Sequence, residues 1–258
     1  WAKWLAWTER SFSPLTDWFA EAAWTPGARV LDVACGPGYP AFAAAERVKP
    51  GGSVVATDIS PAMVEAGSRR AAAAGIDNLE FRTMDAEQIE FGDESFDAVT
   101  NAYGLMFCPE PQRALREARR VLRPGGRVAI ATWAEPSASP FFGIITGIAA
   151  PMLGLAPPDP SGPGPFRFSS PHGLESLLGA CGFEDVRVHA RPKTFEFGSA
   201  DEYLQVFSDV AWKARIAALA PGDRARLRDA IADAVQPHVS GGRLRLVATS
   251  LCTSARRG

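Results

Sequence analysis

Cysteine and histidine are scarce in this chain of 258 residues, and neither is clustered. Cys35, Cys108, Cys181 and Cys252 lie far apart with no Cys-x-x-Cys pair, and His172, His189 and His238 stand apart from them. This spacing suggests neither a zinc site nor a disulfide framework, so no metal is expected. Isolated thiols suit a reducing compartment, and a cytoplasmic location is the expectation. Positive charge is not in excess either, with 27 Lys and Arg against 29 Asp and Glu. Binding to a nucleic-acid backbone would therefore have to rest on a local patch. The best candidate patch runs from Arg113 to Arg127, with Arg116, Arg119, Arg120 and Arg123 along a helix and Glu117 among them. It reads as a solvated helix face whose cations favour the C-terminal half, so nucleic acid is not expected as a partner. Long apolar runs are also missing. The uncharged stretch 136–158 is broken by Gly143, Gly147, Gly154 and Pro151, whereas a membrane span needs about 20 mostly apolar residues. It is read as a flexible apolar lid, and stable membrane insertion is not expected. The sequence begins at Trp1 rather than Met, and nothing in it reads as a targeting segment.

The most informative stretch is Val30-Leu-Asp-Val-Ala-Cys-Gly-Pro-Gly38. An apolar strand over 28–34, carrying Asp32, runs into a turn where Gly36 and Gly38 permit a tight backbone path. The Ala-rich segment Ala41 to Val48 then presents a helix N-terminus, a natural site for a negatively charged or polar ligand. The motif alone is ambiguous. Gly36-x-Gly38-x-x-Ala41 also fits a dinucleotide fingerprint, and Asp58 lies 22 residues after Gly36, about where a ribose-binding acid belongs.

Further motifs follow in fixed order: Thr57-Asp58-Ile59-Ser60, Met84-Asp85-Ala86-Glu87, Phe96-Asp97-Ala98-Val99 and Leu122-Arg-Pro-Gly-Gly126. Together with the first, they resemble a class I S-adenosylmethionine-dependent methyltransferase, closest to bacterial small-molecule enzymes related to the ubiquinone/menaquinone-biosynthesis methyltransferases. The resemblance is strong over about residues 25 to 135 and general elsewhere. It implies S-adenosylmethionine as cofactor and assigns residues to it. Asp32 orients the glycine loop and the methionine part, with Ala34, Gly36 and Gly38 forming the loop. Asp58 takes the ribose hydroxyls, Ile59 and Met63 flank the adenine, and Asp85 with the N–H of Ala86 meets the adenine edge. Asn101 and the chain after it face the amino acid and the transferred methyl. Three departures stand out. Ala34 replaces the family's first motif glycine, Pro37 replaces a common Thr or Ser, and Asn101-Ala-Tyr103 is not the Asn-Pro-Pro-Tyr signature of enzymes that methylate planar amino groups.

Five β-α steps, with strands near 28–34, 53–57, 79–84, 96–101 and 127–133, predict a parallel sheet covered on both faces. Ser60 and Pro61 signal the start of a helix over 61–74, and Gly75 its stop. Pro124-Gly125-Gly126 ends a helix from Arg113 to Leu122. A loop is predicted over 156–165, a helix over His172 to Ala180, strands over Val186 to Ala190 and Leu244 to Thr253, and two helices within 200–235. The expected fold is thus a Rossmann-like seven-stranded, mostly parallel α/β sheet whose last strand is antiparallel. One domain over 1–258 is expected. It comprises a helical cap (1–25) holding Trp1, Trp4, Trp7, Trp18 and Trp24, a cofactor core (26–135), a lid and loop (136–170), and a sheet edge (171–258) with a helical insertion at 200–235.

For the acceptor, Tyr103, Phe107, Trp133, Phe141, Phe142, Phe166 and Phe168 come from segments expected around the methyl. Apolar walls with few polar handles suit an aromatic or isoprenoid-like small molecule. A sulfonium-borne methyl is already activated, so a base is optional, and methylation on O or C is favoured over N. His172 is the best-placed base among the histidines, with a surface position at a helix start as the competing reading. The oligomeric state stays open, a homodimer included. Two alternatives are an NAD(P)-dependent oxidoreductase using the same glycine turn, which lacks a Tyr-x-x-x-Lys relay, and an inactive cofactor-binding partner protein, which Ala34 and Pro37 keep open.

Overall fold

The computed structural model describes residues 4–155, 159 and 162–258. Trp1 and part of the expected 156–165 loop lie outside the described residues. Helix α1 (Leu5–Ala23) places Trp7, Phe12, Leu15, Trp18, Phe19 and Ala23 in the core. Phe12, Leu15, Phe19 and Ala23, three and four residues apart, form one apolar stripe, with Trp7 and Trp18 along its margin. This helix lies across the sheet, touching its central and C-terminal strands, so it covers a sheet face.

The parallel part of the sheet comprises β1 (Arg29–Val33), β2 (Ser53–Asp58), β3 (Leu79–Thr83), β4 (Phe96–Ala102) and β5 (Leu122–Trp133). Val30 to Val33 are all buried, as expected of a strand covered on both faces. Helices α2 (Ala41–Arg47), α3 (Pro61–Ala73) and α4 (Pro111–Val121) make the crossovers. Proline occupies the first turn of α3 and α4, where its missing N–H costs nothing. Ser60 precedes α3 without a side-chain cap bond. Its own N–H instead donates to Asp58 Oδ1 at 2.9 Å.

Two long strands, β6 (Phe183–Phe197) and β8 (Arg243–Arg257), complete the sheet in the order β3-β2-β1-β4-β5-β8-β6. β8 is antiparallel to both neighbours. Both strands run beyond the spans read from sequence. A two-residue strand, β7 (Val239–Ser240), forms a hairpin with β8 across Gly241 and Gly242, and so makes the count eight rather than seven. Both glycines have positive φ, the backbone that such a tight hairpin demands.

The 136–158 run also departs from expectation. Pro140–Met152 forms helix α5, whose Phe141, Phe142, Ile145 and Ala149 are buried against the sheet and a later helix. Apolar residues four apart describe a core stripe, so over these residues the run is structural rather than a flexible lid. Helix α6 (Pro171–Ala180) follows, capped by Ser170 Oγ accepting from Gly173 N–H. The 200–235 insertion holds three helices, not two: α7 (Ala200–Phe207), α8 (Lys213–Ala218) and α9 (Pro221–Val235), with a π turn over Ser208–Trp212 joining α7 to α8.

Three arginines of the sequence patch are tied into the molecule. Arg120 bonds Glu117, Asp93 and the carbonyls of Ile89 and Phe91. Arg119 donates to Gly182 O, and Arg123 pairs with Asp97. No helix among the described residues is long and apolar enough to cross a membrane. Nor do the described residues gather three or more His, Cys, Asp or Glu in a metal-holding group.

Candidate active site

Strand order reverses between β1 and β4, and the carboxyl ends of these strands are where an open α/β sheet binds its ligand. There β1 enters the glycine loop. Gly36 has φ +54°, and a Cβ placed on it would meet nothing within 4 Å. Gly38 differs: a Cβ there would lie 2.2 Å from the Phe42 ring, so its lack of a side chain is a packing need. Asp58, at the end of β2, accepts the Gly36 N–H through Oδ2 at 2.8 Å, so one carboxylate holds both the loop and the start of α3.

Asn101 performs the matching task at the end of β4. Its amide donates to Val33 O at 3.0 Å, while Oδ1 accepts from Gly104 N–H at 3.0 Å and Leu105 N–H at 2.8 Å. The two strand ends are thereby fixed to each other. Ala34 and Tyr103, close to this junction, adopt φ of +57° and +62°. Left-handed backbone costs a residue with a Cβ about 1–2 kcal/mol, and such strain gathers at functional sites.

Asp32 is fully buried beneath the loop. Oδ1 accepts from Thr100 Oγ1 at 2.7 Å, whereas Oδ2 is buried and makes no well-formed hydrogen bond among the described residues. Burial pushes this carboxyl up to about 7, with the Thr100 bond and the Ala41 N–H opposing and the Asp58 charge adding to the rise. Ile59 is 71% exposed beside Asp58, and Met63 is half-buried on the first turn of α3. An isoleucine so open, next to a fixed carboxylate, offers apolar surface to a flat ring. Asp85 is exposed and closes a turn by accepting the Glu87 N–H at 2.8 Å, with Ala86 between them; it caps this turn rather than a helix.

The expected acceptor residues divide. Tyr103 stacks on Trp133, with centroids 4.2 Å apart, and its hydroxyl lies 2.7 Å from Ser250 Oγ. Trp133 meets the edge of Phe142, which touches Phe141 and Phe166, so these five rings form one cluster. Phe168 is half-buried, and its carbonyl accepts from Thr132. Phe107 is not a wall of this cluster, being 54% exposed on a short turn after β4. His172 is likewise misplaced for a base: its side chain is 90% exposed, with Glu175 at 3.9 Å. As the second residue of a proline-initiated helix it points to water. Sequence reasoning missed Thr100, Phe12, Phe195 and Lys193, all of which bear on the site. The alternation of Lys193, Phe195 and Phe197 along β6 was the available signal.

A doubly wound sheet with this strand order, an acid inside the first strand and carboxylates ending the second and third, defines the class I S-adenosylmethionine-dependent methyltransferases. The comparisons agree over part of the chain, which is similar to a methyltransferase domain. Residues 30–126 match the methyltransferase domain model. A demethylmenaquinone methyltransferase of Clavibacter sepedonicus is 46% identical over 110 residues, 43% of each chain. An arsenite methyltransferase of Halobacterium salinarum is 33% identical over 178 residues, 69% of this chain and 43% of that one. The chain thus spans less than half the length of these two relatives. Among solved structures, a candidate methyltransferase of Bacillus halodurans C-125 aligns with a TM-score of 0.64 at 25% identity, covering 95% of this chain and 99% of that one.

Proposed function

We propose that the protein transfers a methyl group from S-adenosylmethionine to a small, partly apolar acceptor, on oxygen or carbon rather than nitrogen. The observation that carries this reading is the buried Asp32 carboxylate of the first strand, whose Oδ2 makes no well-formed hydrogen bond among the described residues. With only the Ala41 N–H near the carboxylate besides Thr100, it has lone pairs left for a cationic or N–H-bearing ligand, and the amino group of the cofactor's methionyl part answers to it. In this reading Asp58 receives the ribose hydroxyls, Ile59 and Met63 flank the adenine, and Asp85 with the Ala86 N–H meets its edge. Asn101 holds Gly104 and Leu105 in place beside the amino-acid end.

The cofactor supplies a methyl already activated by its sulfonium, so the chain's task is alignment and exclusion of water. Well-aligned reactants gain about 7–11 kcal/mol over free encounter. The stacked Tyr103 and Trp133, with Phe141, Phe142 and Phe166 behind them, provide the apolar walls that hold an acceptor and keep water away. The two relatives' names specify chemically different acceptors, so support for an aromatic or isoprenoid-like one comes from these rings.

The test is calorimetric titration with S-adenosylhomocysteine, with NAD and NADP as parallel controls, followed by acceptor screening for the mass gain of one methyl. One-to-one binding of the adenosyl ligand alone is expected. Binding of a dinucleotide instead would move the protein to the oxidoreductases, and cofactor binding without turnover on any acceptor would favour an inactive partner protein.

A further inference from the structure

The chain uses lysine sparingly: of its 27 basic residues only Lys3, Lys49, Lys193 and Lys213 are lysines, leaving 23 arginines. Arginine keeps its proton in any surroundings, whereas burial can strip it from lysine. Lys193 lies on β6 just beyond Arg191, which pairs with Ser250 of β8. Ser250 in turn pairs with Trp133 at the end of β5. The register therefore sets Lys193 just above the carboxyl end of the sheet, on the face that α1 covers.

Its Nζ stands 3.1 Å from the centroid of the Phe12 ring and 4.3 Å from that of Phe195. It is buried and has no hydrogen-bond partner among the described residues. Phe12 packs on both Tyr103 and Trp133, and Phe195 on Trp133, so the amine borders the ring cluster that walls the acceptor region. A cavity of about 470 Å³ between α1 and the β6–β8 edge reaches the same place, lined by Pro14, Leu15, His189, Arg191, Lys193 and Ser250. Ser250 carries the bond to the Tyr103 hydroxyl. Lys193 thus stands between this cavity and the Tyr103–Trp133 stack.

The buried hydroxyl and thiol groups around it are poor bases. Burial pushes the hydroxyls of Tyr39 and Tyr103 well up, and the Cys252 thiol up to about 12, so each keeps its proton at neutral pH. Arg191 and His189 are exposed at the cavity rim. Burial lowers Lys193 to about 6, with Cys252 opposing the shift, so its lone pair is free at neutral pH.

We propose that this cavity admits an acceptor bearing a phenolic or enolic hydroxyl, and that Lys193 takes the proton from that hydroxyl. The proposal deepens the methyl-transfer reading and sets oxygen as the methylated atom. The acceptor O–H bond breaks and its proton passes to the Nζ lone pair. The oxygen then bonds to the methyl carbon while the methyl–sulfur bond breaks, its electron pair staying on sulfur. The proton leaves Lys193 to solvent at the end of the cycle.

A chromogenic phenol tests the proton transfer directly, because its ionised form alone is coloured. 4-Nitrophenol is titrated into protein saturated with S-adenosylhomocysteine, buffered about one unit below the probe's own pKa. Wild type is expected to bind it with a gain of the phenolate band. Lys193→Met, checked for an intact fold by circular dichroism and for unchanged S-adenosylhomocysteine binding, is expected to lose that band, and its probe affinity should fall by about tenfold or more, the size of a charge-assisted hydrogen bond. A band that persists in it overturns the assignment. Lys193→Arg keeps a cation but cannot accept a proton, so it holds the phenolate only by shedding the probe's proton to the buffer; calorimetry in two buffers of different ionisation heat is expected to read that release in the arginine variant and less of it in wild type, and equal release overturns the assignment. Binding as the neutral phenol, or no binding to wild type, overturns it as well. Failure to bind S-adenosylhomocysteine is read separately and strikes the methyl-transfer reading instead.

Discussion

The titration of Asp32 makes cofactor binding depend on pH in a way that can be worked out in advance. In the free protein burial holds its carboxyl at about 7, far above its ordinary 3.8. A ligand amino group that donates to Oδ2 favours the ionised form, so binding and ionisation are linked. One unit below the midpoint only about a tenth of the carboxyls are ionised, so affinity falls by about tenfold per unit as pH drops. The fall levels off once the neutral form carries the binding. A charge-assisted bond exceeds a neutral one enough to set that floor about tenfold to a hundredfold below the plateau. Above about 7 the affinity is flat. Calorimetry of S-adenosylhomocysteine binding in two buffers of different ionisation heat reads the same event as protons released, rising to about half to four-fifths of one per ligand a little below pH 7 and falling to nearly none at alkaline pH and again where the affinity has levelled off. Asp32→Asn keeps the Thr100 bond, removes the proton release and flattens the profile. The folding equilibrium of the ligand-free protein runs the opposite way. The carboxyl is raised on folding, so its contribution is greatest at low pH and is lost as pH rises from about 4 through about 7. A wild-type profile that is flat, or one that survives in Asp32→Asn, refutes this reasoning.

Three further outcomes are expected. Asp58→Ala removes the acceptor of the Gly36 and Ser60 N–H groups together with the ribose contacts, and should weaken S-adenosylhomocysteine binding by at least about 1 kcal/mol; wild-type affinity in calorimetry would reject the assignment. Phe195→Ala empties a fully buried position touching Trp7, Phe12, Trp133 and Phe141, and should cost about 3–5 kcal/mol in urea unfolding. Ala34→Gly relieves a left-handed φ and should raise stability by up to about 1 kcal/mol at unchanged m-value; a loss would mean that the methyl's contact with Gly104 outweighs the strain.

Much of the cofactor half was legible because its signals are local. The strand, turn and helix around Gly36, the acids at 32, 58 and 85, and Pro61 with Gly75 each mark a backbone event within a few residues. What escaped depends on partners distant in sequence. The stretch around Phe141 looked like a lid because its glycines and prolines suggested interruption, yet the apolar residues at 141, 142, 145 and 149 find a buried face supplied by later elements. Phe107 and Phe142 are alike as letters, and only the packing separates an exposed turn residue from a core one. His172 invited a chemical role because histidine is scarce, but a proline-started helix turns it outward. Lys193 drew no notice because its burial arises from Phe12, far away on the first helix.

The antiparallel placement of β8 also bears on how the molecule is made. Among the described residues, β6 joins the rest of the sheet only through β8, which follows it after three intervening helices. While a ribosome is still delivering those helices, β6 has no neighbour on either side, and β5 presents a bare edge. Completion of this side of the sheet therefore waits on late synthesis, and a nascent chain paused between Phe197 and Arg243 is where chaperone capture or strand-to-strand aggregation should be greatest.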